Sequence, residues 1–105
     1  MDKVDEAARK LAASWTPRAP YKRLDDDLRP DDLADAYLIE HRLQELMVPS
    51  RGPIGGRKIA LSSKAMQEMV GIDQPIAGAI FANDIHRSPA TIPRTSFRGL
   101  GLEYI

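Results

Sequence analysis

The residues best placed to do chemistry lie in the middle of the chain, where charged groups sit among glycines and apolar runs. In GGRKIALSSKAMQEMVGIDQPIAGAIF, residues 55–81, Lys58 follows a glycine doublet and stands near the start of a short apolar run. Such a lysine is either a solvated charge on a strand edge or a fixed cation aimed at an anionic ligand. Three weaker constellations accompany it. Asp25, Asp26 and Asp27 form an acidic run that fits a divalent cation or, more simply, a solvated loop. Asp84 and His86 are two residues apart, which in a strand puts both on one face within reach of a metal. The other histidine, His41, falls on the polar side of a helix, so a surface pair is the better reading of that spacing. Cysteine is absent, which removes disulfides, thiolate zinc sites and thiol nucleophiles from consideration.

The elements that must position Lys58 follow from turn residues and apolar spacing. Ser50–Gly56, SRGPIGG, reads as a glycine and proline loop leading into a strand that carries Lys58. It is not a phosphate-cradling loop. That motif needs glycine immediately before the lysine, a hydroxyl residue immediately after it and a helix opening there, whereas Lys58 lies between Arg57 and Ile59 in a strand-like run. Ser62 or Ser63 caps a short helix whose Ala65, Met66, Met69 and Val70 share a face, and Gly71 stops it. The two methionines are expected to fill a core. Ile76–Phe81 is a second apolar stretch, so the segment reads strand, helix, strand.

Upstream of this segment the chain is helical. Asp2 is placed to cap a helix over Lys3–Ser14, with Val4, Ala8, Leu11 and Trp15 on one face. Pro17, Pro20 and Pro30 punctuate the following stretch. Pro30, Asp31 and Asp32 then signal a second helix, in which Leu33, Ala36, Ile39, Leu43, Leu46 and Met47 keep helical spacing until Pro49, expected to end it. Glu40 projects within that apolar arc, either as a buried acid or cation partner, or as a carboxylate reaching solvent from the edge of the stripe. At the far end Leu100, Leu102, Tyr104 and Ile105 read as a strand whose one charge is Glu103, and the chain reads as cut in mid-strand.

Composition bounds the class. One hundred and five residues, 43% hydrophobic and 29% charged, suit one small globular domain. Fifteen basic and fifteen acidic residues cancel, so no overall positive field favours nucleic acid or an anionic membrane. The halves differ: residues 1–50 hold 8 basic and 11 acidic groups, residues 51–105 hold 7 and 4. Either the positive half suits an anionic small ligand or the two halves attract each other. The charged start MDKVDEAARK lacks the apolar centre of a signal peptide, and no apolar run approaches a membrane span. A cytoplasmic protein is expected.

GRKIALSSKAMQEMVGIDQPIAGAIF, with DDLADAYLIEHRLQELM before it, resembles the N-terminal part of the 2-keto-4-pentenoate hydratases, a branch of the fumarylacetoacetate hydrolase superfamily. The shared pattern is G-x-K-[IV]-x-L-[ST]-S-x-x-M-Q followed by G-[IV]-D-x-P. The resemblance implies addition of water to a 2-oxo- or 2-hydroxyalkenoic acid such as 2-hydroxypenta-2,4-dienoate, in the breakdown of aromatic compounds. A sister branch decarboxylates related oxo acids. It implies Mg2+ or Mn2+ as cofactor, a small anionic oxo acid as substrate, Lys58 as catalytic and substrate-side cation, and Ser62 as a second substrate contact. Glu103 matches the first metal-binding glutamate. The second position holds Ile105, the third ligand would lie beyond the chain, and Ile76 stands where many relatives carry an acid. The metal site is therefore incomplete, and this chain is not expected to bind the ion tightly alone.

The expected fold is α+β: a helical portion over residues 1–50, then over 51–105 the first strands of a hydratase-type mixed β-roll, cut short. Three roles follow in order of expectation. The first is a hydratase-family chain inactive on its own, and the second an enzyme assembled from several copies that pool Glu103. The third is a non-catalytic module that associates with full-length hydratase subunits.

Overall fold

The computed structural model describes residues 2–15 and 22–94. The strand expected over the last residues, with Glu103, lies outside them. Helix α1 spans Lys3–Trp15, α2 Leu33–Arg51 and α3 Lys64–Val70; strands β1, Ile54–Ala60, and β2, Ile76–Phe81, flank α3. Short 3-10 turns at Asp26–Leu28 and Ala82–Asp84 complete the order. The described residues thus form an α+β arrangement of three helices and one antiparallel two-stranded sheet.

α1 begins where Asp2 predicts. The Asp2 carboxylate accepts the backbone N–H of Asp5 at 2.7 Å, satisfying one of the free donors of the first turn. Ala7 and Ala8 are fully buried and form, with Leu28 and Ile39, the core between α1, the first 3-10 turn and α2. Val4, Leu11, Leu24, Leu43 and Leu46 pack around it. Small alanines let the two helix backbones approach closely, and leucines from α2 fill the flanks. Trp15, on the expected apolar face, is half exposed and instead lies beneath the Arg51 guanidinium, 5.3 Å from the ring centre.

α2 is capped by Asp32, whose side chain accepts the Asp35 N–H at 2.8 Å. Contrary to expectation, Pro49 does not end it: the helix runs on to Arg51. A proline this late forfeits one bond, the one its own N–H would have made to the carbonyl four residues back. The exposed carbonyls of the final turn are served otherwise. Ser50 Oγ donates to the Met47 carbonyl at 3.1 Å, and the Gly52 N–H donates to Val48 at 2.9 Å. Gly52 makes the turn out of the helix at φ 83°, ψ 175°, a region essentially confined to glycine. The connection between α2 and β1 is therefore only Gly52 and Pro53, shorter than the loop expected over Ser50–Gly56.

β1 and β2 pair with Gly56 opposite Ile80, Arg57 opposite Ala79, Lys58 opposite Gly78, Ile59 opposite Ala77 and Ala60 opposite Ile76. The register is irregular between Ile54 and Gly56, which bends the start of β1. α2 holds the hairpin through Tyr37, whose hydroxyl accepts the Ala77 N–H at 3.1 Å. Phe81 and Met47 are buried where β2 ends and α2 closes.

Candidate functional site around Lys58

Lys58 lies in the middle of β1 with its side chain exposed. Alternation along the strand puts it on the same face as Gly56 and Ala60, and across the ladder with Ile76, Gly78 and Ile80. Its direct partner Gly78 has no side chain, and a Cβ built there would meet nothing within 4 Å. Among the described residues nothing crowds the place that a side chain at Gly78 would take, and the lysine stem is bordered by half-buried small and aliphatic residues.

At the end of β1 the backbone departs from ordinary geometry. Leu61 has φ 56°, in the left-handed region that a bulky residue rarely adopts. The Gln67 side-chain amide donates to the Leu61 carbonyl at 2.9 Å and holds this bend. Nothing in the sequence pattern marks Leu61 as strained, although Gln67 belongs to the shared motif. The bend turns the chain into Ser62 and Ser63. Ser63 is the helix cap, its hydroxyl accepting the Met66 N–H at 3.2 Å, which settles the choice between the two serines. Ser62 is exposed in the turn between β1 and α3. Gly71 closes α3 in a left-handed conformation, with its own N–H donating to Glu68 at 3.3 Å and the Ile72 N–H to Gln67 at 3.1 Å.

The expected placement of Met66 and Met69 is not observed. α3 has no buried residue, and its methionines face outward rather than filling a core. The physical reason is that the helix is tied down through Gln67, on its polar side, so the apolar side is left outward.

Several of the other titratable groups form surface pairs. Asp5 accepts Arg9 Nε at 2.8 Å and Arg42 Nε from α2, and those hydrogen bonds, Arg9 first, hold its carboxyl below the usual range. Asp5 in turn, with Glu45, raises Arg42. Asp25 is lowered by its 2.7 Å bond from Lys10, and Lys10 is raised by the same bond. Asp26 pairs with Arg29 at 3.5 Å, so two members of the acidic run are engaged by neighbouring cations. Glu40, at the edge of the α2 stripe, pairs with Gln44 and lies 3.9 Å from the exposed His41. Asp84 sits in a 3-10 turn rather than a strand and accepts Arg51 Nη1 at 2.8 Å, while His86 lies beyond that turn.

Among the described residues no three His, Asp or Glu side chains gather to hold a metal ion. The described residues therefore do not provide the divalent-cation site that the resemblance implies, and Glu103 lies outside them. No described helix is long and apolar enough to cross a membrane.

The chain matches several curated enzymes. It is 34% identical over 88 residues to the 2-keto-4-pentenoate hydratase of Burkholderia vietnamiensis, which covers 84% of this chain and 32% of that protein. It is 30% identical over 89 residues to the corresponding hydratase of Paraburkholderia xenovorans, covering 85% and 33%. The match to 2-keto-4-pentenoate hydratase 2 of Dechloromonas aromatica is 33% over 79 residues, covering 75% and 30%. A match of that length within this chain must include its centre, where β1, Lys58 and α3 lie. No family profile and no solved structure matches the chain. It spans about a third of the length of the curated relatives, and over that third it is a relative of the 2-keto-4-pentenoate hydratases.

Proposed function

We propose that this chain supplies the helical support and the substrate-side cation of a hydratase that adds water to a small 2-oxo- or 2-hydroxyalkenoic acid, and that its 105 residues do not complete the site alone. The observation that carries this reading is the match to curated hydratases across the strand that bears Lys58. In such a reaction the oxygen of water bonds to one alkene carbon and a proton to its neighbour. Electron density moves onto the oxygen at C2 before that proton is delivered. Lys58 is the group of this chain suited to that moment: an exposed ammonium carried on a strand stabilises the developing negative charge. Exposed Ser62, four residues on, is a candidate hydrogen-bonding partner for the carboxylate. The helical portion then acts as a rigid back, with Tyr37 fixing β2 and hence the register opposite Lys58.

Two experiments test this. The purified chain with Mg2+ or Mn2+ and 2-hydroxypenta-2,4-dienoate is expected to give no metal-dependent loss of dienoate absorbance; loss at enzymatic rates would overturn the claim of incompleteness. A chimera carrying residues 54–81 in place of the matching segment of the Burkholderia vietnamiensis enzyme is expected to hydrate the dienoate. Lys58→Met in that chimera is expected to lower kcat about 100-fold or more, with an unchanged circular dichroism spectrum. Equal activity with and without Lys58 would remove the lysine from the mechanism.

A further inference from the structure

The backbone at Leu61 is the feature that the hydration reading leaves unexplained. A bulky residue at φ 56° is an outlier, because its Cβ crowds the backbone, whereas glycine takes that conformation without the crowding. Such an outlier persists where its surroundings hold it, and outliers of this kind cluster where geometry serves function. Here the hold is visible: Gln67 Nε2 donates to the Leu61 carbonyl at 2.9 Å.

Gln67 is well placed for that task. Within α3 it alone is half-buried, and the other residues of the helix are exposed. Its backbone is committed in both directions, its N–H donating to the Ser63 carbonyl at 3.0 Å and its carbonyl accepting the Ile72 N–H at 3.1 Å. The side chain is therefore carried on a closed turn of helix, and it reaches back to the end of β1. A polar amide takes the inward position that an apolar residue occupies in a helix packed on a core.

What the bend places is Ser62. In an unbroken strand Lys58, Ala60 and Ser62 would share one face. The left-handed residue between Ala60 and Ser62 interrupts that alternation, so the torsion at Leu61 decides where Ser62 stands relative to Lys58. Relaxing that torsion shifts Ser62 and leaves Lys58 in place, since the pairing with β2 fixes the strand that carries it.

We propose that Gln67 is a positioning residue of the substrate site: by holding Leu61 in the left-handed conformation it sets Ser62 where, with Lys58, it meets the carboxylate end of a small oxo acid. This inference rests on the hydration reading and adds to it a residue that acts through Ser62 without touching substrate.

The test puts the full chain in place of the matching part of the Burkholderia vietnamiensis enzyme. Gln67→Met keeps the length and helix propensity of the side chain and removes the amide donor. It is expected to raise KM for 2-hydroxypenta-2,4-dienoate about 10-fold, as for a lost hydrogen bond to a charged group, with kcat within about 2-fold. Adding Leu61→Gly, which takes the left-handed conformation without the amide, is expected to return KM to within about 3-fold of the unsubstituted chimera. In a Ser62→Ala background Gln67→Met is expected to leave KM unchanged, because both act through one contact. A merely structural Gln67 would give neither the glycine rescue nor the loss of effect in that background. An active chimera indifferent to Gln67→Met, or one in which the effects of Gln67→Met and Ser62→Ala multiply, overturns this proposal and leaves the hydration reading standing. A chimera that is folded by circular dichroism and inactive with Gln67 in place overturns both. In the chain by itself, the backbone 13C shifts of Leu61 and Ser62 report the bend. Gln67→Met is expected to move them away from left-handed values while those of α1 and α2 stay unchanged. Unmoved shifts overturn the proposal whatever the chimera does.

Discussion

The phenolic oxygen of Tyr37, on α2, accepts the backbone N–H of Ala77, on β2, at 3.1 Å. This bond joins the helical portion to the strand that sets the register of Lys58. Tyr37→Phe removes the acceptor and leaves the ring in place. It is expected to cost about 1 kcal/mol of stability, read by urea denaturation, and to speed hydrogen exchange at the Ala77 amide ahead of the amides of α1. Equal exchange at Ala77 in both proteins would show that the strand is held by something else.

The pairing of α1 with α2 gives a pH dependence. Arg9 and Arg42 lower the Asp5 carboxyl in the folded state, so the unfolded chain binds the proton more readily. The stability that Asp5 contributes is present above the unfolded value of about 3.9 and is lost as pH falls through the lower folded value. Asp25, lowered by Lys10, acts in the same direction. Lys10, raised by Asp25, acts at the other end: its contribution is present below its unfolded value and lost as pH rises through the folded one. Thermal denaturation between pH 6 and pH 2 is expected to show a shallower acid loss for Asp5→Asn than for the unchanged chain, with a lower melting temperature at pH 6. Parallel curves would exclude Asp5 as a source of the acid sensitivity.

Local chemistry in the sequence locates caps and stops well, because a cap is a bond between residues three or four apart. Asp2, Asp32, Ser63 and Gly71 all act where the residue types place them. The apolar stripe of α2 likewise identifies Ile39 and Met47 as core. What the sequence misplaces depends on distant partners or on compensation. Pro49 reads as a terminus, since nothing local reveals that Ser50 and Gly52 serve the last carbonyls. Met66 and Met69 read as core because their spacing marks a face without saying what it meets. Leu61 carries no mark of its left-handed backbone, which exists through the Gln67 bond six residues away. Lys58 was legible as a cation on a strand, but its having a glycine, Gly78, as direct cross-strand neighbour follows from a register that no local signal reveals.

Gly52 is the narrowest point between the helices and the sheet. Its φ of 83° with ψ 175° suits glycine alone, and a Cβ there would lie 2.8 Å from Asn83 Oδ1. Gly52→Ala is expected to destabilise the chain by about 1 to 3 kcal/mol, most of it backbone strain. The asparagine end can swing away, so adding Asn83→Ala is expected to recover only the smaller steric part. Full recovery in the double variant would place the cost in the clash instead.

Ser62 and Ser63 are neighbours with different work, and separate alanine variants distinguish them. Ser63 accepts the Met66 N–H and starts α3, and loss of such a cap costs about 1 kcal/mol. α3 is short and has no buried residue, so little packing compensates. Ser63→Ala is therefore expected to melt α3 locally, seen as lost amide protection over residues 66–70 with the α1 and α2 amides unchanged. Ser62→Ala is expected to leave that protection intact, since Ser62 is exposed ahead of the cap. In the hydratase chimera its effect is expected on KM for the dienoate, as befits a carboxylate contact. Loss of α3 protection in Ser62→Ala would make this serine structural and withdraw it from the substrate site.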